Sequence, residues 1–235
     1  MYEIRTRIGA SQTNIDGYFR DSAIVDLMQD CSGFQLEADT GVMPYFMEHN
    51  IAMFLVFRQI DILRRPAYGE EVTAQTSIYD LRQLYGFRNS NIFGADGKPC
   101  ILSYAMGAFV NRETGRPLRM PQEVLDTVRL EPATEMEYLP HKLKFPKEGW
   151  EELAAYTVTR FQIDVNRHVN NARYLDIGAE YLPEGFDAKR ICIAYKSPAK
   201  LGDILVPERM FVSEGCLIRL RRADGSVVCE IAFTA

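Results

Sequence analysis

Three side chains that can bind or move a proton stand at alternate positions of one short stretch: Asp164, Asn166 and His168. In an extended chain, alternate side chains point to the same side, so this spacing predicts one polar row. A histidine can donate, accept or carry a proton near neutral pH, and a carboxylate can act as a base. An asparagine can orient the histidine or bind a carbonyl oxygen. The row therefore indicates attack of water on an ester-like carbonyl.

A helix start is predicted directly after this row. Asn170 and Asn171 are good N-cap residues, and a helical pattern of small and apolar residues begins at Ala172. The first turn of a helix presents unpaired backbone N–H groups and the positive end of the helix dipole. We therefore predict an oxyanion site at Asn170, Asn171 and Ala172, where a carbonyl oxygen that becomes negative would be stabilised.

The elements that carry this stretch occur twice in the chain. Three short matches appear in the same order in both halves, which indicates a duplicated unit. They pair Thr6-Arg7 with Thr159-Arg160, Pro66–Glu70 with Pro198–Asp203, and Ala95–Gly97 with Ala223–Gly225. The first copy has the loop Ser11–Gly17 in place of the polar row, and that loop has no histidine.

Each copy is predicted to be α+β: a strand, a central helix and several antiparallel strands, with the sheet wrapped around the helix. The longest helical pattern runs over 18–38 and is interrupted by Gly41 and Pro44. We place the first repeat at 1–130, a linker at 131–153 and the second repeat at 154–235.

Composition narrows the function classes. The net charge of −5 argues against a nucleic-acid-binding surface. No apolar run approaches the ~20 residues of a membrane span, and the first residues show no signal-peptide pattern, so we expect a cytoplasmic protein that does not enter a membrane. The five cysteines form no C-x-x-C pair, and the three histidines lack metal-ligand spacing. We therefore predict reduced, buried thiols and no metal.

Three segments of the chain resemble one known family. The stretch Asp164–Tyr174, with Glu180 and Pro183 downstream, resembles the signature of the acyl-ACP thioesterases. The segments Pro66–Glu70 and Asn111–Val124 resemble the first-repeat strand junction and the closing segment of the same family. This resemblance implies a tandem (double) hotdog fold and hydrolysis of acyl-ACP thioesters to free fatty acid and holo-ACP in fatty acid biosynthesis.

The resemblance also implies residue roles. Asp164, Asn166 and His168 would form the catalytic row, an acyl carrier protein would be the partner, and no cofactor would be needed. Plant members carry a Glu-Cys pair that corresponds to the run ending at Pro198-Ala199, where this chain has neither a carboxylate nor a thiol. The group that activates water must then come from elsewhere. Asp164 is our first candidate, and we interpret Glu180 as structural.

The resemblance also implies an acyl tunnel that is formed largely by the first repeat. The apolar stripe of the long helix and the apolar run that follows it could line this tunnel. The candidate acyl-binding residues are Ile24, Leu27, Met28, Cys31, Met53 and Leu55. Several basic residues are candidates for contact with the acidic carrier protein: Arg64, Arg65, Arg82, Arg88, Lys196 and Lys200.

Three alternatives stay open at this point. The first is a thioesterase that acts on acyl-CoA, and the second is a hotdog hydratase or dehydratase that uses Asp164 and His168. The third is a non-catalytic acyl-binding protein, which the missing Glu-Cys pair favours. We expect either a monomer, because the two repeats already form an internal pair, or a homodimer.

Overall fold

The computed structural model describes residues 1–38 and 41–235. The chain forms two compact units. The first contains Met1–Arg58 and Ile62–Tyr138, and the second contains Gln59–Asp61 and Leu139–Ala235. Within the described ranges, no helix has both the length and the apolar character that crossing a bilayer requires.

The first unit is a sheet with the order β1-β3-β4-β5-β2 and a long helix against it. Helix α1 packs chiefly on β3 and β1. Its predicted apolar stripe is buried from Ile24 to Cys31, but Phe34, the next apolar position of the stripe, is exposed. The elements are β1 (Tyr2–Arg7), α1 (Asp21–Ala38), α2 (Val42–Glu48), β2 (Ile51–Ile62), β3 (Glu71–Arg82), β4 (Tyr85–Gly94), β5 (Pro99–Asn111) and α3 (Gln122–Leu125).

Two details of this unit differ from the sequence-based expectation. Helix α1 begins at Asp21 rather than near Tyr18, because Tyr18 pairs with Ala67 and the Phe19 N–H donates to the Pro66 carbonyl. A second helix, α2, includes Pro44 in its first turn. Proline is tolerated there, since the first N–H groups of a helix have no intrahelical acceptor.

The second unit has the order β8-β11-β10-β9, and both β6 and β7 pair with β9. Its helix is half as long as α1, with 9 residues against 18. The elements are β6 (Glu151–Glu152), β7 (Tyr156–Thr157), α4 (Asn171–Ala179), β8 (Arg190–Tyr195), β9 (Ile204–Val212), β10 (Gly215–Arg222) and β11 (Val227–Thr234). Residues 129–150, all described, contain neither helix nor strand.

The two units repeat one hydrogen-bond pattern at the corners that precede β3 and β9. In the first, the Ile8 N–H donates to the Glu70 carbonyl and the Gly69 N–H donates to the Ile8 carbonyl, each at 2.9 Å. In the second, Val158 makes the same exchange with Asp203 and Gly202, at 2.9 and 3.0 Å. These pairs, with the shared strand order, confirm the α+β prediction for each repeat.

One sequence match is out of register. Sequence similarity pairs Thr6-Arg7 with Thr159-Arg160, but Arg160 begins a short 3₁₀ turn, Arg160–Gln162, whose counterpart is Ala10–Gln12. Arg7 lies in β1 instead. The structural counterpart of Thr159 is therefore Gly9, since each precedes its 3₁₀ turn.

Candidate active site

The buried side chain of Gln162 anchors the loop before α4. Its Oε1 accepts the Thr159 backbone N–H at 2.8 Å and the Thr159 hydroxyl at 3.1 Å. Its backbone carbonyl accepts the Asn170 N–H at 2.8 Å. Both ends of the loop are thus fixed to one residue, which is 2% exposed.

The stretch from Asp164 to His168 is a tight turn, so the expectation of an extended row is wrong. The Asp164 N–H donates to the His168 carbonyl at 2.9 Å, and the Arg167 N–H donates to the Asp164 carbonyl at 2.9 Å. The Asp164 carboxylate accepts the Asn166 N–H at 2.8 Å, and Arg167 has a positive φ of 63°. An aspartate that bonds to the backbone two residues later favours a turn over extended chain.

The turn still brings the three predicted residues together. The backbones of Asp164 and His168 pair at its base, and Asn166 lies at its exposed tip. Asp164 and His168 are each partly buried. A carboxylate, an amide and an imidazole therefore share one loop of five residues, next to the start of a helix.

Asn170 is the N-cap of α4, which confirms the predicted helix start. Its side-chain oxygen accepts the Ala172 N–H at 2.9 Å, and its carbonyl accepts the Arg173 N–H at 2.9 Å. The Ala172 N–H is therefore already bonded and does not serve the predicted oxyanion site. The positive end of the helix dipole remains at this position.

The corner at Ala199 lies directly against this loop. The Val169 N–H donates to the Ala199 carbonyl, and the Ala199 N–H donates to the Tyr174 hydroxyl, each at 2.9 Å. Burial raises the pKa of Tyr174 above its usual value, so its hydroxyl stays protonated. Ala199 is fully buried, and its methyl group offers no chemistry where plant family members are expected to hold a reactive pair.

The residues that hold this site in place are not among the predicted site residues. Tyr174 supports the Ala199 corner, and Arg222 donates from Nη1 to the Ser197 hydroxyl at 2.8 Å and from Nη2 to the Pro198 carbonyl at 2.7 Å. Gln162 had a signal in the sequence, because Gln12 stands at the matching position of the first repeat.

The structure divides the predicted acyl-binding residues between two places. Ile24, Leu27, Met28 and Cys31 are buried on α1, and burial raises the pKa of the Cys31 thiol to about 11. Met53 and Leu55, on β2, are partly buried. Met53 packs in a different apolar cluster, formed by Val42, Phe46, Ile51, Phe109, Met120 and Leu125.

The basic residues proposed for carrier contact are mostly engaged within the chain. Arg64, Arg65 and Arg82 form ion pairs with Glu70, Asp21 and Asp80, and Lys196 pairs with Glu230. Arg88 does not face a surface partner. Its Nη1 donates inward, to the Gln35 side-chain oxygen at 2.8 Å and the Thr76 hydroxyl at 2.9 Å.

Among residues 1–38 and 41–235, no three His, Cys, Asp or Glu side chains are grouped closely enough to hold a metal ion. All five cysteines are buried and unlinked, as the sequence predicts. Burial raises the pKa of Cys229 well above its usual value, which makes that thiol a poor nucleophile.

Comparison with solved structures identifies the fold. An acyl-ACP thioesterase from Bacteroides thetaiotaomicron matches with a TM-score of 0.87 and 19% identity, over 99% of this chain and 96% of that one. The 12:0-ACP thioesterase from Umbellularia californica matches with a TM-score of 0.81 and 17% identity, over 98% and 91%. No curated protein sequence matches the chain significantly.

The family models cover nearly the whole sequence. The acyl-ACP thioesterase N-terminal domain matches residues 1–128, and the acyl-ACP thioesterase C-terminal domain matches residues 146–232. The two matches follow the duplicated α+β organisation described above. The chain therefore belongs to the acyl-ACP thioesterase family and is, with it, a thioester hydrolase.

Proposed function

We propose that this enzyme hydrolyses acyl-ACP thioesters at the turn Asp164–His168 and the start of α4, as a step of fatty acid biosynthesis. Family membership supports the reaction. We assign the site from the difference between two loops that share one pattern of backbone hydrogen bonds. The first repeat has Asn14, Asp16 and Tyr18 where the second has Asp164, Asn166 and His168.

The thioester carbonyl lies over the start of α4, where the helix dipole favours negative charge on its oxygen. Since the Ala172 N–H is bonded to Asn170, we assign the direct hydrogen bond to the exposed amide of Asn166. The backbone around Asn171 contributes the remaining positive potential. His168 orients the attacking water.

The chemical step needs one base and no strong acid. The water oxygen bonds to the carbonyl carbon, and the C–S bond breaks as the tetrahedral intermediate collapses. The proton from water goes to Asp164, directly or through His168, and then to the departing thiolate. Asp164 retains one hydrogen bond from the Asn166 N–H, which fixes the orientation of the carboxylate.

We assign acyl binding to the first repeat, near residues 1–130, and the thioester chemistry to the second, near 154–235. The partner is an acyl carrier protein that delivers the acyl group. A cytoplasmic location, and a monomer or homodimer in solution, remain predictions that go with this role.

The proposal is tested by thiol release from a panel of acyl-ACPs, with wild type beside Asp164→Asn and His168→Ala. Asparagine at 164 keeps a turn-forming acceptor, as Asn14 shows in the first repeat, but removes the base. We expect each variant to lower kcat by about 10²–10⁴-fold, the usual contribution of a positioned acid or base. Circular dichroism checks that the variants are folded.

The matched control is Tyr18→Ala, at the position in the first repeat that corresponds to His168. It should leave thiol release near the wild-type rate. Turnover by Asp164→Asn within a few fold of wild type would contradict Asp164 as the base. Hydrolysis of acyl-CoAs but of no acyl-ACP would contradict the proposed carrier.

A further inference from the structure

The helix-facing side of the first sheet carries polar side chains across its middle. In the β3–β4 register Thr76 lies opposite Ser90 and Ile78 lies opposite Arg88, so these four side chains share one side of the sheet. The Ser32 hydroxyl of α1 lies 3.4 Å from the Thr76 hydroxyl, which shows that this is the side that α1 covers.

Five residues form this feature, which we call the polar belt: Arg58, Thr76, Arg88, Ser90 and Ser103. The Thr76 and Ser90 hydroxyls are 3.2 Å apart, and Arg88 Nη1 donates to Thr76 at 2.9 Å. Arg58 Nη1 donates to the Ser103 hydroxyl at 3.3 Å. Arg58, Thr76, Ser90 and Ser103 are at most 3% exposed, so the belt crosses the interior from β3 to β2.

The belt contains two guanidinium groups close enough to influence each other. Desolvation, together with the charge of Arg58, lowers the pKa of Arg88 to about 10, which leaves it charged at neutral pH. Removing such charges from water is unfavourable. Arg58 also lies against a predicted acyl-binding residue, since its Nη1 is 3.3 Å from the Met28 sulfur.

Apolar side chains lie on both sides of the belt. On one side, Ala74 is opposite Ile92, and Ile92 is opposite Ile101. On the other, Gly86 is opposite Gly107, and the Met53 side chain occupies the space that side chains at these two glycines would fill. The interior of the first repeat is therefore two apolar regions with a charged, hydrogen-bonded strip between them.

We propose that the polar belt sets the upper limit of acyl-chain length, with Arg58 and Arg88 as specificity-determining residues. This rests on the proposed function and deepens it. Each methylene that enters an apolar region strengthens binding about fourfold. That gain ends at the belt, because a hydrocarbon chain there would displace hydrogen bonds without replacing them. The acyl chain is thus confined to one apolar region.

The first test measures kcat/KM over saturated acyl-ACPs from butyryl to stearoyl, for wild type, Arg58→Met and Arg88→Met. Methionine keeps an unbranched chain and removes the charge, and replacing a buried charge by an apolar residue is often tolerated. We expect about a tenfold or larger gain for the first chain lengths that wild type rejects. Arg58→Lys, which keeps the charge, should keep the wild-type limit.

The control is Arg5→Met, which removes an arginine of the same sheet whose side chain is 81% exposed and paired with Glu3. It should leave the length profile unchanged. An unchanged profile in folded Arg58→Met and Arg88→Met, or the same shift in Arg5→Met, would overturn the proposal.

A second measurement needs neither a variant nor activity. Calorimetry of wild type with free saturated fatty acids should show affinity that rises with length and then stops rising. A continued rise through stearate would overturn the belt as a limit. Because this test does not depend on turnover, it separates the two ideas. Absence of acyl-ACP hydrolysis would refute the proposed function, while the binding series would still decide the length limit.

Discussion

The loops before α1 and α4 share one backbone conformation but carry different functional groups. In the first, the Asn14 N–H donates to the Tyr18 carbonyl at 2.8 Å, and the Gly17 N–H donates to the Asn14 carbonyl at 3.1 Å. In the second, Asp164 makes both contacts with His168 and Arg167, at 2.9 Å each. The turn is thus a structural property of the repeat, whereas the imidazole and the carboxylate at its base belong to the second copy alone.

The difference shows which features of the second loop are not needed for folding. Asparagine serves as the turn acceptor in the first loop, where its side-chain oxygen takes the Asp16 and Tyr18 N–H groups at 3.1 and 2.9 Å. A neutral amide is therefore sufficient for the turn. The carboxylate of Asp164 and the imidazole of His168 need another explanation, and the proposed catalytic role supplies one.

The largest expected effect comes from giving the second loop the side chains of the first. The triple variant Asp164→Asn, Asn166→Asp, His168→Tyr should fold, because this combination already supports the same turn in the first repeat. We expect kcat/KM for acyl-ACP to fall by about 10³-fold or more, since the base and the imidazole are both lost. Thiol release and thermal melting measure the two outcomes separately.

The reciprocal variant is the control for this conversion. Asn14→Asp, Asp16→Asn, Tyr18→His in the first loop should leave activity at the wild-type level. If the converted second loop kept activity within about tenfold of wild type, acid–base chemistry at these positions would be excluded, because its loss costs more than that.

The shared scaffold gives an effect of intermediate size. Gln12 and Gln162 each accept a backbone N–H across the loop entrance, from Gly9 at 2.9 Å and Thr159 at 2.8 Å. We expect Gln162→Ala to lower the free energy of unfolding by about 2 kcal/mol and Gln12→Ala to lower it by about 1 kcal/mol, because the Gln162 side chain is more deeply buried. Urea denaturation measures both values.

Activity distinguishes the two glutamines further. Gln162→Ala should lower kcat with little change in the length profile, because it loosens the loop that carries Asp164. Gln12→Ala should be destabilising without a change in kcat. A larger loss of kcat in Gln12→Ala than in Gln162→Ala would contradict the assignment of chemistry to the second loop.

Local patterns in the sequence predicted much of this architecture. The apolar stripe of α1 and the N-cap at Asn170 follow from short-range spacing and backbone preference, which act in any context. The turn at Asp164 was missed, because alternation predicts an extended chain and does not account for a side chain that bonds to its own backbone.

The two arginines of the polar belt were not predicted. Arginine is usually exposed, so Arg88 is expected to contact the carrier protein, and the sequence does not single out Arg58. Their positions follow from strand register and from partners such as Thr76 and Ser103, which are far away in sequence. Such placement depends on tertiary packing, and no local pattern contains it.

The smallest predicted effect concerns the fourth of the five turn positions, where the residue types of the two loops differ in backbone preference. Gly17 has φ 81° and Arg167 has φ 63°, a left-handed conformation that costs a non-glycine residue roughly 1 kcal/mol. Gly17→Arg should therefore destabilise the protein by about 1 kcal/mol. Arg167→Gly should stabilise it by less than that, because glycine also increases the entropy of the unfolded chain.

Urea denaturation of these two variants, with thiol release measured in parallel, completes the comparison. If Arg167 is present only as a tolerated residue, Arg167→Gly gains stability at unchanged kcat. If kcat falls while stability rises, the strained arginine holds the catalytic turn in its working conformation, and the second loop then differs from the first in rigidity as well as in chemistry. A loss of stability in Arg167→Gly would show that the Arg167 side chain makes contacts that outweigh its backbone strain.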